Sequence, residues 1–169
     1  MEHAWILVGM MGAGKSSVGR ALAEVSGREF KDTDQMLQNR FGRSISNVFD
    51  LYGEPTFREH ESSVLRTLEP GNYVLSTGGG IVTREENWAE MKRLGKTIFL
   101  DCTPAMLIDR LGQSKKKRPL LAGEDWQEKL TALLNQRLPL YRQADVTIRL
   151  DDFDVVGAAE HLYQELVRS

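Results

Sequence analysis

The feature that most constrains this chain is Gly9-Met10-Met11-Gly12-Ala13-Gly14-Lys15-Ser16, which fits the pattern G-x-x-x-x-G-K-[ST]. The apolar run Trp5-Ile6-Leu7-Val8 precedes it and reads as a buried parallel strand. Val18, Ala21, Leu22 and Val25 follow at helical spacing, and Gly27 is placed to end that helix. A glycine-rich loop between strand and helix curls its backbone so that successive N–H groups point inward, at the positive end of the helix. Such a loop cradles the phosphates of a nucleoside triphosphate. Gly12, Ala13, Gly14, Lys15, Ser16 and Ser17 are the expected phosphate contacts. Lys15 is expected to reach the outer phosphates, and the Ser16 hydroxyl to ligate Mg²⁺.

A chain of 169 residues suits one domain with a sizeable core. Its formal charge of −2 argues against a nucleic-acid partner held by global electrostatics. The single cysteine, Cys102, follows the apolar run Ile98-Phe99-Leu100 and reads as a small core thiol. No apolar run approaches the length of a membrane span, and the first residues do not read as a signal peptide. No membrane partner and a cytoplasmic location are therefore expected.

Strand and helix patterns alternate, the signature of an α/β fold with a parallel sheet covered on both faces. Strands are expected at 4–8, 28–31, 73–76, 97–100 and 146–150, the second interrupted by Lys31. Residues 35–68 carry helical patterns only: Ser44 reads as an N-cap and Pro55 as a helix start. This block is expected to be a helical insert. Thr83 and Glu86 read as a capping box, and Thr103 with Pro104 as the start of a later helix. A helix is expected from about Glu124 to Gln143, kinked or cut short by Pro139, and a last one over 153–167. Between Gly112 and Gly123 lies a polar stretch with Lys115-Lys116-Lys117-Arg118-Pro119, read as a basic lid over residues 112–124. It lacks the interleaved aromatics of a nucleic-acid patch.

Asp32 and Asp34 follow a strand, at the edge where open α/β sheets bind ligands. One can support Mg²⁺ and the other can accept a hydrogen bond or proton from an attacking hydroxyl, although Asp34 would also serve as a helix N-cap. The strand at 73–76 lacks a terminal Asp, which leaves Asp32 as the metal carboxylate. Arg58 and Glu61 share a helix face, either as a surface ion pair or as an arginine aimed at an anion and held by the glutamate. Arg137 is a second candidate of the same kind. Gly78-Gly79-Gly80 at a strand end points to close backbone approach to a ligand.

Taken together, these residues resemble the shikimate kinase family over nearly the whole chain. The resemblance rests on the loop from Gly9 to Gly19, Asp32-Thr33-Asp34, Ser44-Ile45 leading to Phe49, and Gly53-Glu54. Phe57-Arg58-Glu59-His60-Glu61, Ser76 to Gly80, Arg118-Pro119-Leu120-Leu121 and Arg137 to Tyr141 complete it. It implies a three-layer P-loop kinase fold of the nucleoside-monophosphate-kinase type, with a five-stranded parallel sheet in order 2-3-1-4-5, an insert at 33–62 that binds shikimate, and the lid. It implies ATP and Mg²⁺ as cofactors, and transfer of the γ-phosphoryl group to the 3-hydroxyl of shikimate on the route to chorismate and aromatic amino acids. By position, Lys15, Asp34 and Arg118 would be catalytic, and Ser16 and Asp32 would hold the metal. Arg110 and Arg118 would join residues 12–17 in binding ATP. Asp34, Arg58, Gly78, Gly79, Gly80 and Arg137 would bind shikimate, with the arginines on its carboxylate. A monomer is expected. Pro55-Thr56, Lys31 and the acidic segment from Asp151 to Asp154 depart from the family pattern, and no adenine contact is assigned to the last. A gluconate-type kinase, a nucleoside monophosphate kinase and a non-catalytic nucleotide-binding module are the alternatives.

Overall fold

A computed structural model describes residues 2–113 and 118–169. The expected Lys115, Lys116 and Lys117 of the lid lie outside the described residues. The chain runs β1 (Ala4–Val8), α1 (Lys15–Ser26), β2 (Glu29–Asp32), α2 (Thr33–Phe41), α3 (Ile45–Tyr52), α4 (Glu54–Thr67) and β3 (Tyr73–Ser76). It continues with α5 (Glu85–Leu94), β4 (Gly95–Asp101), α6 (Pro104–Gln113), α7 (Trp126–Tyr141), β5 (Val146–Arg149) and α8 (Val155–Arg168). The strands form one sheet in the order β2-β3-β1-β4-β5, every neighbouring pair parallel.

Burial follows position in the sheet. Every residue of central β1 and β3 is buried, whereas edge strand β2 is exposed or half-buried throughout. That explains the lysine in β2: Lys31 lies at the edge, its Nζ 4.6 Å from the centre of the Tyr73 ring. Gly19 lets α1 approach the sheet closely, since a Cβ there would lie 2.7 Å from Phe30 Cε1 and 3.2 Å from Leu7 Cδ1. Gly27 closes α1 in the left-handed conformation (φ 70°) with its N–H directed at Ala23 and Glu24 carbonyls. Val25, counted with the apolar stripe of α1, is exposed.

The main core surrounds the sheet, and a second, smaller one lies inside the insert: Leu37, Val48, Phe57 and Val64. Met36 packs against both. Helix α4 leads into β3 and serves both cores: Phe57 and Val64, seven residues apart on one face, enter the insert core, and Leu65 enters the main core around the sheet.

Several local expectations are corrected. Thr83 does not cap α5; its hydroxyl donates to Gly80 O at 2.7 Å within a short 3-10 turn, and Arg84 stands at the N-cap. Gly112 lies inside α6, which continues to Gln113. Pro139 does not stop α7, which runs two residues further. The carbonyl it leaves unbonded belongs to exposed Asn135, where water can satisfy it. Ser44 caps α3 as expected, accepting from Asn47 N at 3.2 Å.

Candidate active site

The site lies along the C-terminal edge of the sheet. Register places Asp32 opposite Ser76, and Thr77 N–H donates to Leu7 O at 3.3 Å, so the ends of β2, β3 and β1 converge on one line. The loop after β1 enters α1 through Gly14 in the left-handed region (φ 92°), a conformation that side chains rarely adopt. Lys15 Nζ donates to Gly9 O at 2.6 Å and Met10 O at 2.9 Å. Burial pushes the Lys15 ammonium down to about 8; the nearby Asp34 carboxylate pulls the other way, and Arg118 and Arg137 reinforce the fall. Four cationic or anionic groups from separate segments therefore share one field. Arg110, from α6, donates to Ala13 O at 3.0 Å and so flanks the outer wall of the loop.

Ser16 Oγ donates to Asp32 Oδ2 at 3.1 Å. The other carboxylate oxygen accepts from Asp34 N at 2.9 Å and Gln35 N at 3.4 Å, which makes Asp32, not Asp34, the N-cap of α2. The capping question thus resolves in favour of a division of labour. The Asp34 side chain is directed to the Gly78 turn, where its Oδ1 would lie 2.9 Å from a Cβ on that glycine. A hydroxyl and a carboxylate at the mouth of a phosphate loop form an all-oxygen donor set suited to a hard divalent cation. No group of three or more His, Cys, Asp or Glu able to hold a metal occurs among the described residues, so such an ion would take its remaining ligands from phosphate and water.

Beside this cleft lies a cavity of about 550 Å³ including its open mouth. Ile45, Phe49 and Phe57 form its apolar wall, with Pro119 and Leu120 opposite. Its charged groups are Arg58, Glu61, Arg137, Asp34 and Arg118. Arg58 is 8% exposed, Glu61 0% and Arg137 3%, which removes the surface-pair reading of all three. Arg58 Nη1 donates to Glu61 Oε1 at 3.1 Å and Nη2 to Glu54 Oε1 at 3.3 Å, fixing the plane of the guanidinium. Glu61 Oε2, Arg137 Nε and Nη1, and Arg118 Nε are buried with no hydrogen-bond partner among the described residues. Buried arginine N–H groups of this kind ask for an acceptor, and a carboxylate fits their geometry. Burial holds Glu61 up at about 7, against the opposing pull of Arg58, and burial likewise depresses Arg118.

The three glycines at the end of β3 are not in the left-handed region. Their requirement is space. A Cβ on Gly80 would overlap the Arg58 guanidinium, one on Gly78 would lie 2.7 Å from Glu61 Oε2, and one on Gly79 3.3 Å from Arg137 Nη1. The close approach inferred from sequence is therefore to the site's own charged side chains. Each expected residue lines the acceptor cavity or the phosphate cleft except Ala13, which is buried within the loop. Met11, Asp34, Gly78, Gly79 and Arg118 line both cavities. Sequence reasoning missed the apolar wall of Ile45 and Phe57 and the second anchor Glu54. The four-residue spacing of Glu54 and Arg58 was the available signal.

The model of the shikimate kinase family matches residues 11–167. A shikimate kinase from Parasynechococcus marenigrum (strain WH8102) is 43% identical over 161 residues, covering 95% of this chain and 84% of the relative. The structure of a shikimate kinase from Acinetobacter baumannii in complex with shikimate is 39% identical with a TM-score of 0.87, covering 99% of this chain and 92% of that one. One from Bacteroides thetaiotaomicron is 34% identical with a TM-score of 0.90 and covers 99% of both chains. With the family model matching most of the chain and the fold shared with these relatives, the chain belongs to the shikimate kinase family.

Proposed function

We propose that the chain transfers the γ-phosphoryl group of ATP to the 3-hydroxyl of shikimate, giving shikimate 3-phosphate and ADP. The observation that carries this reading is the junction of the two cavities at Asp34 and Arg118. The loop of residues 12–17 holds the triphosphate, with Lys15 on its outer phosphates and Arg110 against its wall. Arg58 and Arg137 bind the shikimate carboxylate, and Gly78, Gly79 and Gly80 leave room for them to do so. Asp34 accepts the hydrogen bond of the attacking hydroxyl and aligns it with the γ-phosphorus, while Lys15 and Arg118 stabilise the charge that develops on the transferred group. Bound at Ser16 and Asp32, Mg²⁺ would neutralise phosphate charge. Residues 33–62 act as the shikimate-binding insert and 112–124 as the lid of a single kinase domain. A monomeric, cytoplasmic enzyme without nucleic-acid or membrane partners completes the proposal.

The test is ADP release from Mg·ATP with shikimate, gluconate, CMP or AMP as acceptor, with the product's phosphorylated carbon identified by NMR. Shikimate-dependent release giving the 3-phosphate is the expected result. A preferred acceptor other than shikimate, or phosphate on another hydroxyl, overturns the assignment.

A further inference from the structure

Four of the five charged groups of the acceptor cavity, all but Arg118, lean on one turn. Gly78 faces Asp34 and Glu61, Gly79 faces Arg137, and Gly80 faces Arg58. The turn itself is held by two hydroxyls from opposite sides. Thr33 Oγ1, fully buried at the first residue of α2, accepts from Gly78 N at 3.2 Å. Tyr141 Oη, fully buried at the last residue of α7, donates to Gly79 O at 2.7 Å. The Tyr141 ring is stacked on Phe99 of β4 at 5.0 Å and 13°, and its hydroxyl lies in the field of Arg137, one helical turn earlier. Thr33 is the covalent neighbour of Asp34. Each hydroxyl thus ties the turn to the element that carries one working side chain.

We propose that Thr33 and Tyr141 are positioning residues: Thr33 sets Asp34 against the turn for the transfer step, and Tyr141 sets Arg137 for binding of the shikimate carboxylate. The inference rests on the roles proposed above for Asp34 and Arg137. Its physical basis is that deleting either hydroxyl strands a backbone group of the turn, the buried Gly78 N–H in one case and the half-buried Gly79 C=O in the other. Relaxation of the turn to recover partners then displaces the side chain packed on it.

The two latches predict different kinetic signatures, measured by ADP release with ATP and shikimate varied separately. Tyr141→Phe keeps the stacked ring and is expected to raise the shikimate KM roughly five- to tenfold, with a smaller fall in kcat. Thr33→Val is expected to lower kcat roughly tenfold with less change in the shikimate KM, and Thr33→Ser to restore kcat to within about twofold. A merely structural role would lower Tm and the fraction of active enzyme while leaving both KM values in place, and that result overturns the proposal. Equal losses in kcat and shikimate KM for the two variants also overturn it, because the latches would then not be separable. Should Tyr141→Phe not fold, the Thr33→Val and Thr33→Ser pair decides the question through kcat. Arg137→Ala serves as the reference: no change in shikimate KM there removes the underlying assignment, whereas a raised KM beside an unaffected Tyr141→Phe removes the latch alone.

Discussion

The phosphate side and the acceptor side of the cleft are built by opposite means. The phosphate loop is contiguous, made largely of backbone, and seated on the main core between β1 and α1. Its one buried charged side chain, Lys15, finds partners in the loop's own carbonyls. The acceptor cavity draws on α2, α4, the turn after β3 and α7, uses buried ionic side chains, and sits over a separate small core. A loop that recognises phosphate needs only N–H groups at a helix terminus, which a short local sequence can supply. Recognition of one particular small acid needs arginines in fixed planes, and fixing a buried guanidinium takes partners from distant segments.

This contrast can be tested from either side. Lys15→Ala should reduce turnover by about three orders of magnitude, because the charge aimed at the transferred group is lost; loss in ADP-release assays of less than about tenfold would mean the loop backbone alone suffices. Gly80→Ala should raise the shikimate KM about tenfold while leaving the ATP KM within about twofold, since Arg58 must vacate its position although the backbone at φ −92° accepts alanine. If both KM values move together, the two sides are not independent. The depressed Lys15 ammonium predicts that kcat/KM for ATP declines as pH rises above about 8 in the free enzyme. The smallest effect concerns stability. Glu61 is raised from 4.5 to about 7 by burial, so its contribution is fully present below pH 4.5 and is lost as pH rises through 7. Tm of the substrate-free protein should fall over that window, and Glu61→Gln should flatten the slope.

The same contrast explains what the chain disclosed before its structure. The phosphate loop, its strand and its helix were legible because local spacing alone determines them. The division between Asp32 and Asp34 was not, since both residues are competent caps; which one caps depends on how β2 delivers the chain into α2. Arg58 and Glu61 looked equally like a surface pair, because a three-residue spacing places them on one face without saying what covers that face. Thr83 and Glu86 matched a capping pattern, but a 3-10 turn after Gly80 engaged the threonine first. Pattern reports what a residue is able to do locally, and tertiary competition decides which of those options is taken.

Cys102 has a consequence of another kind. Its thiol is buried just past β4, 3.7 Å from Ala13 O, and burial pushes it up to about 11. Oxidants and electrophiles react with the thiolate, and this one is both out of reach and held protonated at neutral pH. The only sulfhydryl in the chain is therefore chemically silent in the folded enzyme although it touches the phosphate loop, and thiol oxidation gives no handle on that loop.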